Sequence, residues 1–205
     1  MELDKYPKCM GLSISRGEGN TLHYGRAEFL TKHDFMLMDQ ALREALCSTA
    51  NKGLVGAIAA LDTRPLLGAY NGTLPGSSNV CEDESGNTLQ DEVLHAEENL
   101  VCLAAKHGIS FEGASLYVTR RPCKKCINLV ISAGFKEIFY IEDKGDERDL
   151  HLLKATRRGI GVTKINPYYR PENTSRLYLY KAKLMEEGRR RIVQMNREQD
   201  SLQVK

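Results

Sequence analysis

The chain has 205 residues, of which 41% are hydrophobic, 27% charged and 7% aromatic. That is enough for one ordinary globular domain with its own core, and it excludes disorder as the main character. Lys and Arg number 29 against 27 Asp and Glu, a formal charge of +2, so bulk electrostatics demand no nucleic acid as partner. No run approaches the roughly 18–20 apolar residues that a bilayer requires, so no membrane association is expected. The opening MELDKYPKCMGLS carries neither a signal-peptide apolar core nor a transit pattern, which predicts a cytoplasmic protein. Six cysteines are too sparse for a disulfide scaffold. The Cys123/Cys126 pair reads instead as metal or redox chemistry.

In residues 1–32, Pro7, Gly11, Gly17, Gly19 and Gly25 break any long period. The stretch reads as an irregular N-terminal extension with a short strand near Leu12–Ser15. Apolar residues at helical spacing predict a helix over Asp34–Ser48, with Asp34 as N-cap and Gly53 closing the segment. Leu54–Leu61 and Pro65–Tyr70 are short apolar runs joined by Asp-Thr-Arg, which suggests a hairpin. Residues 71–87 read as a loop, rich in Gly and Pro. Then the pattern changes to helix over Val93–His107, strand Ala114–Thr119, helix Pro122–Ala133, strand Glu137–Ile141, helix Leu150–Arg158 and strand Val162–Ile165. Strands alternating with helices at this spacing read as parallel βαβ units. The fold expected is an α/β, three-layer α/β/α sandwich with a mixed five-stranded sheet over residues 33–166. Residues 167–205 read as a weakly helical tail, basic near Arg189–Arg191, and more a solvated or frayed segment than a second domain.

Two short motifs carry the chemistry: His95-Ala96-Glu97 and Pro122-Cys123-Lys124-Lys125-Cys126. Each is placed at the start of a helix. Two thiols one helical turn apart can reach one ion, and a helix N-terminus favours their ionised form. One imidazole from His95 makes a His/Cys/Cys set, which leaves a fourth tetrahedral position open, as in catalytic zinc sites. Zinc there acidifies water toward a pKa of roughly 7. Glu97, two residues from His95, points in a different direction (about 100° of helix per residue) and can shuttle a proton. These parts suit hydrolytic removal of a nitrogen from an activated ring carbon. The bland alternative is a capping His beside a CxxC used for structural zinc or thiol exchange, which leaves Glu97 unexplained.

H-x-E followed by P-C-x-x-C is the pattern of zinc nucleobase deaminases. Together with STANKGLVGAIAA, AYNGTLPGSSNVCED, HAEENLVCLAAKHG and GASLYVTRRPCKKCINLVISAGFKEIFY, it resembles the deoxycytidylate (dCMP) deaminases over roughly residues 34–165. The resemblance implies a cytidine-deaminase-like fold and hydrolysis of dCMP to dUMP and ammonia, supplying thymidylate synthesis. It sets His95, Cys123 and Cys126 on the zinc ligands and Glu97 on the proton shuttle. It places Asn71, and with it Ala96 and Tyr140, at the nucleotide, Asn71 holding the sugar; taken alone, Asn71-Gly72 reads equally as a turn. Tyr70 and Gly72 fall in a segment tied to control by dCTP or dTTP with Mg2+, and relatives are commonly homohexamers. Here Ala69 stands where the family often has Gly, and Arg121 where the residue before the proline is usually small.

The phosphate needs cationic or amide donors. Lys52, Arg120, Arg121, Lys124 and Lys125 are the candidates, at least three of them expected to be plain solvated surface. No second, structural zinc is expected at Cys81. Cys47 and Cys102 read as core thiols on apolar helix faces, and Cys9 as a surface thiol. Other readings keep the chemistry and change the substrate (dCTP, cytidine, a modified dCMP, adenosine in transfer RNA), or drop catalysis for a zinc-bound regulatory homologue.

Overall fold

Strand β1 (Gly56–Leu61) is buried along all but its last residue, since its Gly-Ala-Ile-Ala-Ala sequence is small enough for helices to press on both faces. This computed structural model describes residues 30–142, 150–165 and 174–203. The readings for Leu12–Ser15 and Cys9 lie outside them. β1 pairs antiparallel with β2 (Arg64–Tyr70) through a hairpin with a bulge at Ala59/Ala60, and antiparallel with β5 (Ser115–Arg120) on its other side. β5 then runs parallel to β6 (Glu137–Glu142), and β6 to β7 (Gly161–Lys164). The order β2-β1-β5-β6-β7 is a mixed five-stranded sheet.

One face packs Ala57, Ala59, Leu116, Val118, Ile138, Tyr140 and Val162 against three helices. These are α2 (Ala96–His107), α3 (Lys124–Ser132) and α4 (Leu150–Thr156). The other face sets Ile58, Ala60, Tyr117, Phe139 and Ile141 against Phe35, Met38, Ala41 and Leu42 of α1 (Lys32–Leu46). Leu177 and Tyr178 of α5 (Thr174–Gln203) close that layer. Strand alternation sends neighbouring residues to opposite layers. The result is the three-layer α/β/α sandwich.

The helix starts differ from the sequence reading. The N-cap of α1 is Thr31, not Asp34: Asp34 is the third residue of the helix, and its Oδ2 accepts from Thr31 N at 2.6 Å. Its Oδ1 accepts from the Tyr117 hydroxyl at 2.6 Å, tying the helix to β5. α2 begins at Ala96 rather than Val93. Val93–Leu94 instead form a two-residue strand, β4, paired with β3 (Gly72–Thr73) inside the segment read as loop. α3 begins at Lys124, with Cys123 as its N-cap. α5 is a docked 30-residue helix, with Lys181, Met185 and Gly188 buried along one stripe, so it is neither solvated all round nor frayed.

α1 rides directly on β1 at Gly56. A Cβ there would lie 2.1 Å from the Ala41 carbonyl oxygen and 2.3 Å from the Ala45 nitrogen. Backbone cannot yield as a side chain does, so Gly56→Ala should cost about 3 kcal/mol, the upper end of overpacking. Urea unfolding checks this: the midpoint falls while the slope stays unchanged.

Candidate active site

The chain leaves β4 into α2 and β5 into α3, so His95 and Cys123 both become N-caps. β5 ends beside this point, and open α/β sheets form their sites beyond the carboxyl ends of strands. His95 is held as the cap by Glu98, whose Oε2 accepts from the His95 backbone N–H at 2.9 Å. Lys125, next to the thiols, secures Glu98 from α3 through an Nζ–Oε1 pair of 2.6 Å. One ion pair thus links the two ligand-bearing helices.

The structure brings His95, Cys123 and Cys126 together, as the motifs suggest. His95 Nδ1 lies 3.3 Å from Cys126 Sγ and 3.6 Å from Cys123 Sγ, and the two sulfurs are 3.5 Å apart. A tetrahedral ion bonded at roughly 2.3 Å to sulfur and 2.0–2.1 Å to imidazole nitrogen spreads such atoms about 3.5–3.8 Å apart. The donor set and its spacing fit zinc. It is the one such His/Cys/Asp/Glu group among the described residues.

The three groups perturb one another. The hydrogen bond from Cys126 and the nearby His95 pull the Cys123 thiol down to about 3, and the same hydrogen bond pushes Cys126 up. His95 is raised, chiefly by its hydrogen bond to Cys123. A bound divalent cation holds both sulfurs as thiolates. Glu97 stands beside this cluster and is only 4% exposed. Burial pushes its carboxyl up to about 7, opposed by its own backbone N–H and by His95. A carboxyl so placed both holds and releases a proton near neutrality.

A cleft of ≈ 290 Å3 opens over the cluster, the small end of ligand pockets, which run from about 300 Å3. His95, Ala96, Glu97 and Cys123 form its floor, and Asn71 and Lys52 one wall. Asn71 is buried, and its Oδ1 accepts from Val55 N at 2.8 Å. The acceptor end is therefore engaged with backbone, and Nδ2 is the end able to donate. Arg120 and Arg121 line the cleft with Lys52, whereas Lys124 and Lys125 are exposed and do not. So three of the five candidate cations belong to the cleft, correcting the expectation that at least three are plain surface.

Tyr140 is buried in the core face under the helices and does not line the cleft. Tyr70 is exposed at the end of β2, where its carbonyl accepts from Asn99 Nδ2 at 3.0 Å, and Gly72 pairs with Leu94. Cys47 and Cys102 are exposed and not core thiols, whereas Cys81, outside the triad, is buried and lines the cleft. Glu82 is a participant the motifs do not reveal. Its Oε1 accepts from Asn51 N at 2.8 Å and its Oε2 from Asn51 Nδ2 at 3.1 Å, which holds the turn bearing Lys52. Its only sequence signal is an acid inside a polar loop.

A mixed α/β/α sandwich with a His/Cys/Cys triangle at two helix N-termini, and a buried carboxyl two residues past the His, is the arrangement that zinc-binding nucleobase deaminases share. Residues 31–142 match the cytidine and deoxycytidylate deaminase zinc-binding region, and the chain belongs to that family. It is 38% identical over 109 residues to ComE operon protein 2 of Bacillus subtilis, covering 52% of this chain and 57% of that protein. Human deoxycytidylate deaminase is 35% identical over 78 residues, 37% of this chain and 43% of its own length. The matches thus span about half the length of these relatives. Among solved structures, the dCMP deaminase of cyanophage S-TIM5, in complex with dCMP and dUMP, superposes with a TM-score of 0.62 at 29% identity. It covers 67% of this chain and 100% of the phage chain.

The cluster yields a direct expectation. Elemental analysis of the purified chain should find one zinc per polypeptide. Cys126→Ser should weaken zinc binding by more than ~100-fold, beyond the 10–100-fold lost when only a ligand's hydrogen-bond partner is removed. Cys102→Ser, on the exposed face of α2, should retain the full metal content.

Proposed function

We propose that this protein hydrolyses dCMP to dUMP and ammonia. One observation carries the reading: a buried Glu97 beside a three-donor metal cluster, in a cleft whose walls present Asn71 and three cations. The named relatives support the cytosine nucleotide, since human and cyanophage proteins of this family are deoxycytidylate deaminases. Zinc, when bound by His95, Cys123 and Cys126, supplies a Lewis acid that lowers the pKa of water.

The remaining work falls to the chain. Asn71 Nδ2 donates to an oxygen of the sugar, its amide fixed by the Val55 backbone. Lys52, Arg120 and Arg121 meet the monophosphate with charge-assisted hydrogen bonds. Water adds to C4 of the cytosine, the C4–N4 bond breaks, and Glu97 carries protons from that water to the ring and to the departing amine. Ammonia leaves and the 4-keto base remains. No oxidant or second substrate is needed. Assembly into a homohexamer and control by dCTP or dTTP with Mg2+ accompany this reading as part of the family resemblance. Added dCTP and dTTP in the presence of Mg2+ should raise and lower the rate, respectively.

Ammonia release should be seen with dCMP and not with cytidine, dCTP or an RNA hairpin at equal concentration. Turnover of one of those without turnover of dCMP would reject the substrate. Glu97→Gln should retain its zinc and its fold while kcat drops by about 10²–10⁴, the range of general acid–base catalysis. Full activity in Glu97→Gln would reject the proton shuttle.

A further inference from the structure

Helix α5 lies outside the family-matched residues 31–142, yet it packs behind residues that line the cleft. Its buried stripe carries Lys181, fully buried at 0% exposure, among Leu177, Leu184 and Met185. A buried ammonium is costly, and an apolar side chain of the same size commonly packs as well or better. Docking of α5 therefore does not call for a lysine here. Lys181 Nζ instead meets Glu142 Oε1 at 2.5 Å, and the other oxygen of Glu142 takes Arg120 Nε at 3.4 Å. Glu142 ends β6 and Arg120 ends β5, side by side in the parallel register. The Arg120 guanidinium lies over Gly53 in the cleft wall, its Nη1 within 3.5 Å of where a Cβ would sit.

The chemistry of that chain is directional. Glu142 holds Arg120 by Nε, which leaves the Nη pair for an anion in the cleft. Lys181 keeps the second oxygen of Glu142 occupied. Without it, both carboxylate oxygens become available to the guanidinium, and a bidentate pair would draw its N–H groups away from the cleft. α5 also packs beside the turn that bears Lys52, in two places. Gly188 abuts the Asn51 carbonyl, where a Cβ would come within 1.8 Å of the oxygen, and Ile192 packs on Gly86 beside Lys52 Nζ.

The geometry points to Lys181 as a positioning residue that, through Glu142, presents Arg120 to the phosphate of the nucleotide. This rests on the monophosphate reading above and adds to it a role for the C-terminal helix. Calorimetry with dUMP and deoxyuridine, which differ only by the phosphate and are not turned over, tests it on the zinc-loaded protein. Wild type should prefer dUMP. Lys181→Met should weaken dUMP binding about tenfold and leave deoxyuridine binding and thermal stability in place, and Lys181→Arg should restore the preference. In an Arg120→Ala background, Lys181→Met should have no further effect.

Equal weakening of both ligands by Lys181→Met, or an additive loss with Arg120→Ala, would mean a merely structural lysine and would overturn the assignment. A wild type that binds dUMP and deoxyuridine alike overturns the monophosphate reading and this role together. A wild type with a preference that Lys181→Met fully keeps overturns the role of Lys181 alone. If Lys181→Met does not fold, Lys181→Gln, which keeps a donor for Glu142 but no charge, should weaken dUMP about threefold. No change there overturns the role equally.

Discussion

Three donor atoms within 4.8 Å of one another come from the starts of two helices that β5 separates along the chain. Their meeting is the constraint on which the rest depends. It is met by the sheet. β1 is inserted antiparallel between β2 and β5, which sets α2 over one pair of strands and α3 next to it. Each helix begins where its strand ends, so both positive ends face the same point. Two thiols and an imidazole there gain from both dipoles. The Glu98–Lys125 pair and the Glu98–His95 cap fix the angle between the helices at that end. Layers, sheet order and capping all converge on one small volume.

Around that volume the chain keeps polar groups in spite of burial. Asn71, Glu82, Glu97, Arg121 and Lys181 are all buried, and such groups are costly unless paired. Two of them are held by backbone, Asn71 by Val55 N and Glu82 by Asn51 N, while Lys181 pairs with Glu142. A side chain tied to main chain has little freedom left to lose when a ligand arrives. Preorganisation of this kind is how a site keeps its donors aimed.

Much of this was readable without coordinates. The HxE and PCxxC motifs, glycine stops after helices and short β runs were enough to outline the sandwich and the zinc triad. What was not readable depends on neighbours remote in sequence. Val93-Leu94 look helical because they are apolar, and only their pairing with Gly72-Thr73 makes them a strand. Cys102 is two residues from buried Leu100, hence on the opposite side of α2. Tyr140 belongs to whichever layer its strand register dictates, and that register turns it under the helices. In α5 the docking stripe contains a lysine and a glycine, so its apolar signal is too thin to distinguish from a solvated helix. Glu142 and Lys181 acquire meaning only once β6 and α5 are adjacent.

Two acids line a cleft that also holds Lys52, Arg120 and Arg121. Counting formal charges would leave that hollow nearly neutral. Glu82, however, spends its oxygens on amide donors of residues 51 and 52, and burial shifts Glu97 toward its neutral form. The potential at the mouth is therefore more positive than the residue tally suggests. The charge of the hollow is thus set by how its acids are held, not by the molecule as a whole, which carries almost no net charge.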